Sequence, residues 1–186
     1  MFETTYLTDN FLIAMPNLLE PKFSKTVTYI CMHDANGAMG IVINRPMDLD
    51  LGDVLENMEI EPEDPHAQRL PIFEGGPVQS ERGFVIHQPI GKWDAMLNVG
   101  RLGIATSRDI ISSLAKGKGP DQVLIALGYA GWQAGQLEQE MANNAWINTP
   151  ADYNVLFNTP VEQRWEAAAA TLGIDITLMS PVAGHG

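Results

Sequence analysis

Two arginines, a carboxylate, an amide and an imidazole stand in or beside glycine-containing segments of this chain: Asn44-Arg45-Pro46, Glu74-Gly75-Gly76-Pro77, Arg82-Gly83 and His87. A guanidinium presents a planar fork of donors that suits carboxylate or phosphate oxygens, and glycine-shaped backbone can offer N–H groups to the same anion. Gathered by folding, Arg45, Glu74, Arg82 and His87 would make an enzyme site for a small anionic substrate, with Asn44, Gly75 and Gly76 completing its surface. The plainer reading pairs Glu74 with Arg45 or Arg82 in an ordinary salt bridge and leaves the glycines to permit turns. Convergence of these segments favours the first reading, and dispersal favours the second.

Elsewhere the side chains are less suggestive. Cys31 and His33 stand two apart in a strand-like run, where alternate residues share a face, so a thiolate–imidazole pair is one reading. A small buried hydrophobe followed by a polar residue at the strand end is the plainer one. The histidines His33, His66, His87 and His185 include no i, i+4 pair, and Pro65 interrupts the Glu63-to-His66 spacing, so no metal site is expected. There is no Gly-x-x-x-x-Gly-Lys-Ser/Thr cradle, and Gly117-Lys118-Gly119 reads as a helix stop. Gly128, Gly131 and Gly135 are spaced Gly-x-x-Gly-x-x-x-Gly, without the tight Gly-x-Gly of a dinucleotide turn, and no Gly-x-Ser-x-Gly elbow occurs. No cofactor is implied. The expectation is a non-enzymatic binding or regulatory protein whose partner is another protein or a small anionic ligand, with Trp132 or Trp146 as partner-binding anchors if exposed.

The chain has 186 residues, 45% of them hydrophobic, which is enough for one sizeable core, so a single domain over 1–186 is expected. With 11 basic against 23 acidic residues the formal charge is -12, and the basic residues are scattered. Nucleic-acid affinity rests on neutralising phosphates, so direct nucleic-acid binding is not expected. The lone cysteine, Cys31, allows no intramolecular disulfide and no Cys-x-x-Cys site, which suits a reducing compartment. Met1-Phe2-Glu3-Thr4-Thr5 lacks the basic region and apolar core of a secretory signal, and no apolar run approaches bilayer length. These features suggest a soluble, cytoplasmic protein with no membrane partner.

The elements that must position these residues alternate between strands and helices. Phe11 to Met15, stopped by Pro16, reads as a buried strand. Thr26 to His33 and Met39 to Asn44, separated by Asn36-Gly37, read as an antiparallel hairpin, because Asn-Gly supplies the positive φ of tight turns. Asp50 is placed to cap a helix from Leu51 to Met58, and 59–69, with Pro62 and Pro65, reads as an exposed connection. Strands follow at Leu70 to Phe73, Gly83 to His87 and Leu102 to Ala105. Thr106 or Ser107 then caps a helix with the apolar face Ile110, Ile111 and Leu114.

Val123 to Leu127 is a continuous apolar run that suits a strand buried on both faces. It leads into Gly128-Tyr129-Ala130-Gly131-Trp132, read as a glycine-shaped turn, and a helix beginning near Gln133. Thr159-Pro160-Val161-Glu162 has the pattern of a capping box with proline at the first helical position, and Gly173 can close that helix. Its stripe is Trp165, Ala168, Ala169 and Leu172, and 183–186 reads as a frayed tail. Hairpins together with strand–helix alternation give an α+β or mixed-sheet domain.

The runs Phe11-Leu12-Ile13-Ala14-Met15-Pro16, Gly37-Ala38-Met39-Gly40 with Asn44-Arg45-Pro46, Gly75-Gly76-Pro77-Val78 with Arg82-Gly83-Phe84, Gly128-Tyr129-Ala130-Gly131-Trp132 with Gly135-Gln136-Leu137-Glu138, and Gly184-His185 closely resemble the AlgH/YqgE family of bacterial proteins. The resemblance covers nearly the whole chain in order. It implies one α+β domain, with a branched mixed and antiparallel sheet that includes a small closed barrel flanked by helices. For activity it implies only a transcriptional-regulator label, with no catalytic residues to carry over.

Anisotropy titration with mixed-sequence duplex DNA at about 0.15 M salt is expected to show no saturable binding. Tight association that weakens steeply as salt is added would contradict it.

Overall fold

The computed structural model describes residues 5–179, so the expected tail at 183–186 lies outside the described residues. The chain forms β1 (Asn10–Ala14), β2 (Val27–Asp34), β3 (Gly37–Val42), β4 (Pro46–Asp50), α1 (Leu51–Asn57), α2 (Pro65–Gln68), β5 (Pro71–Glu74), β6 (Val78–Gln88) and β7 (Met96–Val99). It continues with β8 (Leu102–Ala105), α3 (Arg108–Ala115), β9 (Gln122–Gln133), α4 (Gln136–Ala142), β10 (Trp146–Pro150), α5 (Tyr153–Phe157) and α6 (Arg164–Ala170). The ten strands form one sheet in the order β10-β1-β2-β3-β9-β6-β8-β7, with β4 and β5 branching from β9. The result is a single α+β domain whose sheet is curled into a half-barrel, with the path open at β10 and β7. Among the described residues no helix is long and apolar enough to cross a membrane.

The expected hairpin is β2–β3, but its turn is Ala35-Asn36, with Asp34 opposite Gly37. The positive φ falls on Gly37, at 136°, which begins β3. The larger correction concerns Gly128 to Trp132. These residues do not form a turn; they continue β9, a strand of 12 residues. Gly128, at φ 77°, changes the strand's course and its neighbours. Before it, Ile125 to Leu127 run parallel to β5 on one side and antiparallel to β6 on the other. After it, Ala130 to Gln133 pair with β3. The chain turns at Ala134-Gly135, where Gly135 has φ 76°, and α4 begins at Gln136 instead of Gln133.

Gly75 and Gly76 sit where β3 and β5 meet β9. The Gly75 N–H donates to the Leu127 carbonyl (2.8 Å), and the Gly75 carbonyl accepts from the Val42 N–H (2.9 Å). A Cβ on Gly75 would overlap the Gly128 carbonyl oxygen, one on Gly76 would overlap the Tyr129 peptide, and one on Gly128 would overlap the Gly76 carbonyl oxygen. These glycines allow backbone to approach backbone across the branch.

The branch leaves the central strands covered on both faces. Phe73, Phe84, Ile86, Leu124 and Ala126 belong to the main core with Phe11, Tyr29 and Ile41, whereas Ile72, Val85 and Ile125 face a second core with Leu51, Leu55, Ile110 and Leu114. A third cluster joins Leu12, Ile30, Trp132, Leu137 and Trp146. This accords with the continuous apolar run expected from Val123, with Leu124 to Ala126 buried and its two ends half-buried.

Local signals succeed where their hydrogen bonds stay local. Asp50 caps α1 in a reciprocal box with Asp53, each carboxylate accepting the other's N–H at 3.0 Å. The expected connection 59–69 contains α2, whose Ala67 is buried, and its Glu63 and Asp64 N–H groups donate to the Ala115 carbonyl (2.8 and 3.0 Å). Ser107 stands at the start of α3 but its hydroxyl does not cap the helix. It donates to Asp109, which also accepts the Asp94 N–H.

The capping box expected at Thr159 is not formed. The Thr159 hydroxyl donates back to the Asn154 carbonyl, 161–163 make a 3-10 turn, and α6 starts at Arg164. Buried Arg164 decides this start, donating to the Thr159 and Ile43 carbonyls while its guanidinium lies 5.1 Å from the Phe73 ring centroid. Trp165, Ala168 and Ala169 pack on the main core, but Leu172 is exposed because the helix has already ended.

Replacing a branch glycine is predicted to be severe. Gly76→Ala should cost about 3–5 kcal/mol in urea unfolding, or prevent folding, because a methyl group meets backbone on a φ suited to glycine. Gly131→Ala, in the same strand region but free of overlap, should stay within about 1 kcal/mol of the parent. Equal losses at both positions would refute the assignment of the branch as the tight point.

Candidate functional site

The residues proposed for an anion site are placed separately, and most have structural partners. The Asn44 amide accepts from the Val27 N–H and donates to the Lys25 carbonyl, both at 2.9 Å. Arg45 donates to the Ser24 carbonyl (2.9 Å), and its own carbonyl accepts from the Glu74 N–H (2.8 Å). Thus Arg45 and Glu74 are neighbours through backbone, with Gly75 and Gly76 buried in the branch. Arg82 lies across β9, since Glu74 and Gly83 flank Leu127 from opposite sides, two strand spacings or about 10 Å apart. Its guanidinium is exposed, 5.5 Å from the Phe84 ring centroid. Among the described residues neither arginine has a salt bridge to Glu74, so the plainer ion-pair reading is corrected as well.

His87 lies five residues further along β6 than Arg82, about 16 Å at strand rise. It is fully buried, with Nδ1 2.9 Å from the Pro89 carbonyl oxygen, which only accepts, so the proton is on Nδ1. Burial lowers its pKa, opposed by that hydrogen bond. The ring occupies the space that a side chain at Gly103 would need. Arg45, Glu74, Arg82 and His87 therefore do not assemble one reaction centre.

The tryptophans are also interior. Trp132 and Trp146 are 7% and 3% exposed, their rings meet edge to face at 6.2 Å, and both indole N–H groups donate to one Glu140 oxygen at 2.9 Å. They close the third core and are not anchors for a partner. Cys31 and His33 fall on different sides because a bulge between Ile30 and Met32 breaks the alternation that the sequence suggests. Buried Cys31 joins the main core, which raises its pKa, while His33 Nδ1 accepts the Leu7 N–H (2.9 Å) and Nε2 donates to Glu138 (2.7 Å). Among the described residues no group of three or more potential ligands could hold a metal ion.

Sequence reading missed a polar staple, in which the Tyr29 and Tyr153 hydroxyls both donate to Asp9 (2.6 Å and 3.2 Å). The Arg101 N–H donates to the Tyr153 oxygen. These residues are far apart in sequence, and no local pattern links them.

Two clefts contain what is left over. Among the described glycines, only Gly83 and Gly131 combine an ordinary φ with no neighbour closer than 3.4 Å to an added Cβ. Neither turn geometry nor close packing requires a glycine at either position, and each lines a cleft. Gly131 lies in a cleft of about 610 Å³ with Met32, Met39, Val78 and Tyr129, rimmed by Asp34, Asn36, Gln133 and Gln136. Gly83 lies in a groove of about 550 Å³ between α1 and α3, floored by Val85, Ile125 and Leu127. The first cleft gathers residues from the segments 37–40, 75–78 and 128–132, which are distant in sequence.

Comparison with known proteins places the chain clearly. The AlgH-like family profile matches residues 11–177. A UPF0301 protein of Thioalkalivibrio sulfidiphilus is 55% identical over 186 residues, covering 100% of both chains. One from Pseudomonas fluorescens is 50% identical over 182 residues, 97% of this chain and 96% of the relative. The solution structure of the AlgH protein from Pseudomonas aeruginosa superposes with a TM-score of 0.81 at 46% identity, covering 100% of this chain and 99% of that one. A Corynebacterium diphtheriae crystal structure shares the fold at 19% identity and a TM-score of 0.74, covering 96% of this chain and 93% of that one.

Because the folded state lowers the pKa of His87, the unfolded chain binds more protons between that value and the ordinary histidine value near 6.5. Stability from this residue is full above the ordinary value and declines as pH falls. Urea unfolding from pH 7 to 5 should show a larger loss in the parent than in His87→Gln. Identical slopes would contradict the assignment.

Proposed function

The chain belongs to the AlgH-like family, and on that premise we propose that it is a non-enzymatic binding protein whose cleft around Gly131 holds a small ligand. One observation carries this reading: an uncrowded glycine in ordinary strand conformation lies open on the floor of a cleft built from separate glycine-containing segments. Glycine inside a strand forfeits side-chain packing, and a common reason to find it there is the close approach of something else. Here neither a bend nor neighbouring backbone accounts for it.

The chemistry of the cleft narrows the ligand. Met32, Met39, Val78 and Tyr129 offer an apolar surface, with polarizable thioethers suited to a flat ring, and Asn36 and Gln133 supply hydrogen-bonding side chains at the rim. Asp34 is the charged residue there, whereas Arg45 and Arg82 stand outside. An uncharged or cationic aromatic compound therefore suits the cleft better than the small anion suggested by the arginines. The net charge of -12 supports regulation through such binding, or through a protein partner, in preference to direct DNA contact. A cytoplasmic location fits the lone, buried Cys31.

Amide NMR with a library of neutral and cationic aromatic fragments tests the reading. Binding fragments should shift the Gly131 and Gln133 resonances, and Gly131→Leu should abolish those shifts while the protein stays folded. Fragments that bind Gly131→Leu as well as the parent would overturn it, as would a library that leaves these resonances unmoved.

A further inference from the structure

We propose that the groove between α1 and α3 is a docking site for a basic amphipathic helix of a partner protein. It is separate from the Gly131 cleft and lies on the second core. Val54 and Met58 form one wall and Ile111 the other, above the floor of Val85, Ile125 and Leu127. Gly83 opens the floor further, because an added Cβ there would meet only the Leu127 side chain, at 3.8 Å.

The backbone under the groove decides the conformation of the occupant. An extended peptide gains its affinity by adding to a free strand edge. Here Val85 pairs with Ala105 of β8 on one side and Ile125 of β9 on the other, so this part of β6 has no open edge. A segment seated on this apolar floor must satisfy its own N–H and C=O groups, which a helix does. The trough between two helices resting on a sheet also suits a third helix laid into the same layer.

The charge around the groove decides the polar face of that helix. Asp53 and Glu81 line it, and Asp50 and Glu56 line an adjoining depression that shares Asp53. The basic residues bordering these two surfaces are Arg108, which donates to the Met58 carbonyl and keeps its charge, and Arg69, so four carboxylates face two guanidinium groups and the rim stays acidic. Lysine or arginine on the flanks of the bound helix would meet this acidic rim while leucine-type side chains fill the floor. A second copy of the chain is a poorer occupant, since its net charge of -12 repels the same rim.

The test uses the whole protein and two fluorescent peptides of about five helical turns with one leucine pattern, one carrying lysine and the other glutamate on the polar face. In anisotropy titrations the lysine peptide should bind and the glutamate peptide should not. Gly83→Leu should weaken lysine-peptide binding at least about tenfold by filling the floor, and Glu56→Lys with Glu81→Lys should weaken it by a similar factor at exposed positions that leave the fold intact. Gly131→Leu should leave it unchanged, which separates this site from the other cleft. The inference is overturned if neither peptide binds, if both bind alike, or if a folded Gly83→Leu protein binds the lysine peptide as tightly as the parent. Self-association abolished by Gly83→Leu, without peptide binding, would instead assign the groove to a second copy.

Discussion

A close approach of main chain to main chain, at the junction of Gly75 and Gly76 with Gly128, is the constraint from which the rest of the architecture follows. Side chains at these three positions would overlap peptide atoms of the facing segment. Because nothing intervenes, β5 can lie parallel to the first half of β9 while β3 pairs with the second half, and one strand serves three neighbours. That sharing curls the sheet and sets the main core and the second core on its two faces. It also releases Ala130 to Gln133 from β6, which leaves Gly131 exposed beside Val78.

Most of the polar residues with apparent chemical potential are consumed in holding this arrangement. Asn44 and Arg45 fasten strand ends to the loop at Ser24 and Lys25, Arg164 ties α6 to the end of β3, and Glu140 joins two tryptophans. Each is an amide, a guanidinium or a carboxylate whose hydrogen bonds satisfy backbone or indole groups of another segment. Their spacing resembles that of a reactive site because both uses require charged or amide groups beside tight backbone. A binding reading rests instead on places where side chains are missing without a structural need, and only contacts in three dimensions reveal those.

Legibility varied with the distance over which an interaction acts. The hairpin of β2 and β3, the α1 cap and the α3 face were readable because turn chemistry, Asx capping and helical period act within a few residues. The strands β4, β7 and β10 were not, since four or five residues with few β-branched side chains become strands only by pairing with a partner. The pattern at Thr159 signalled a helix start correctly in kind, but Arg164 bound the same carbonyl region and moved the start onward.

By itself the sequence determined an acidic, single-domain α+β protein with its family, the apolar runs that become central strands, and the glycines that any close approach would need. Composition and period carry these because they depend on burial and local geometry. Only the tertiary structure decided that Gly128 bends a continuous strand, that a bulge turns His33 away from Cys31, and that Gly83 and Gly131 open onto clefts. The physical reason is that a glycine's role is fixed by the atom a Cβ would meet, and that atom belongs to a segment distant along the chain.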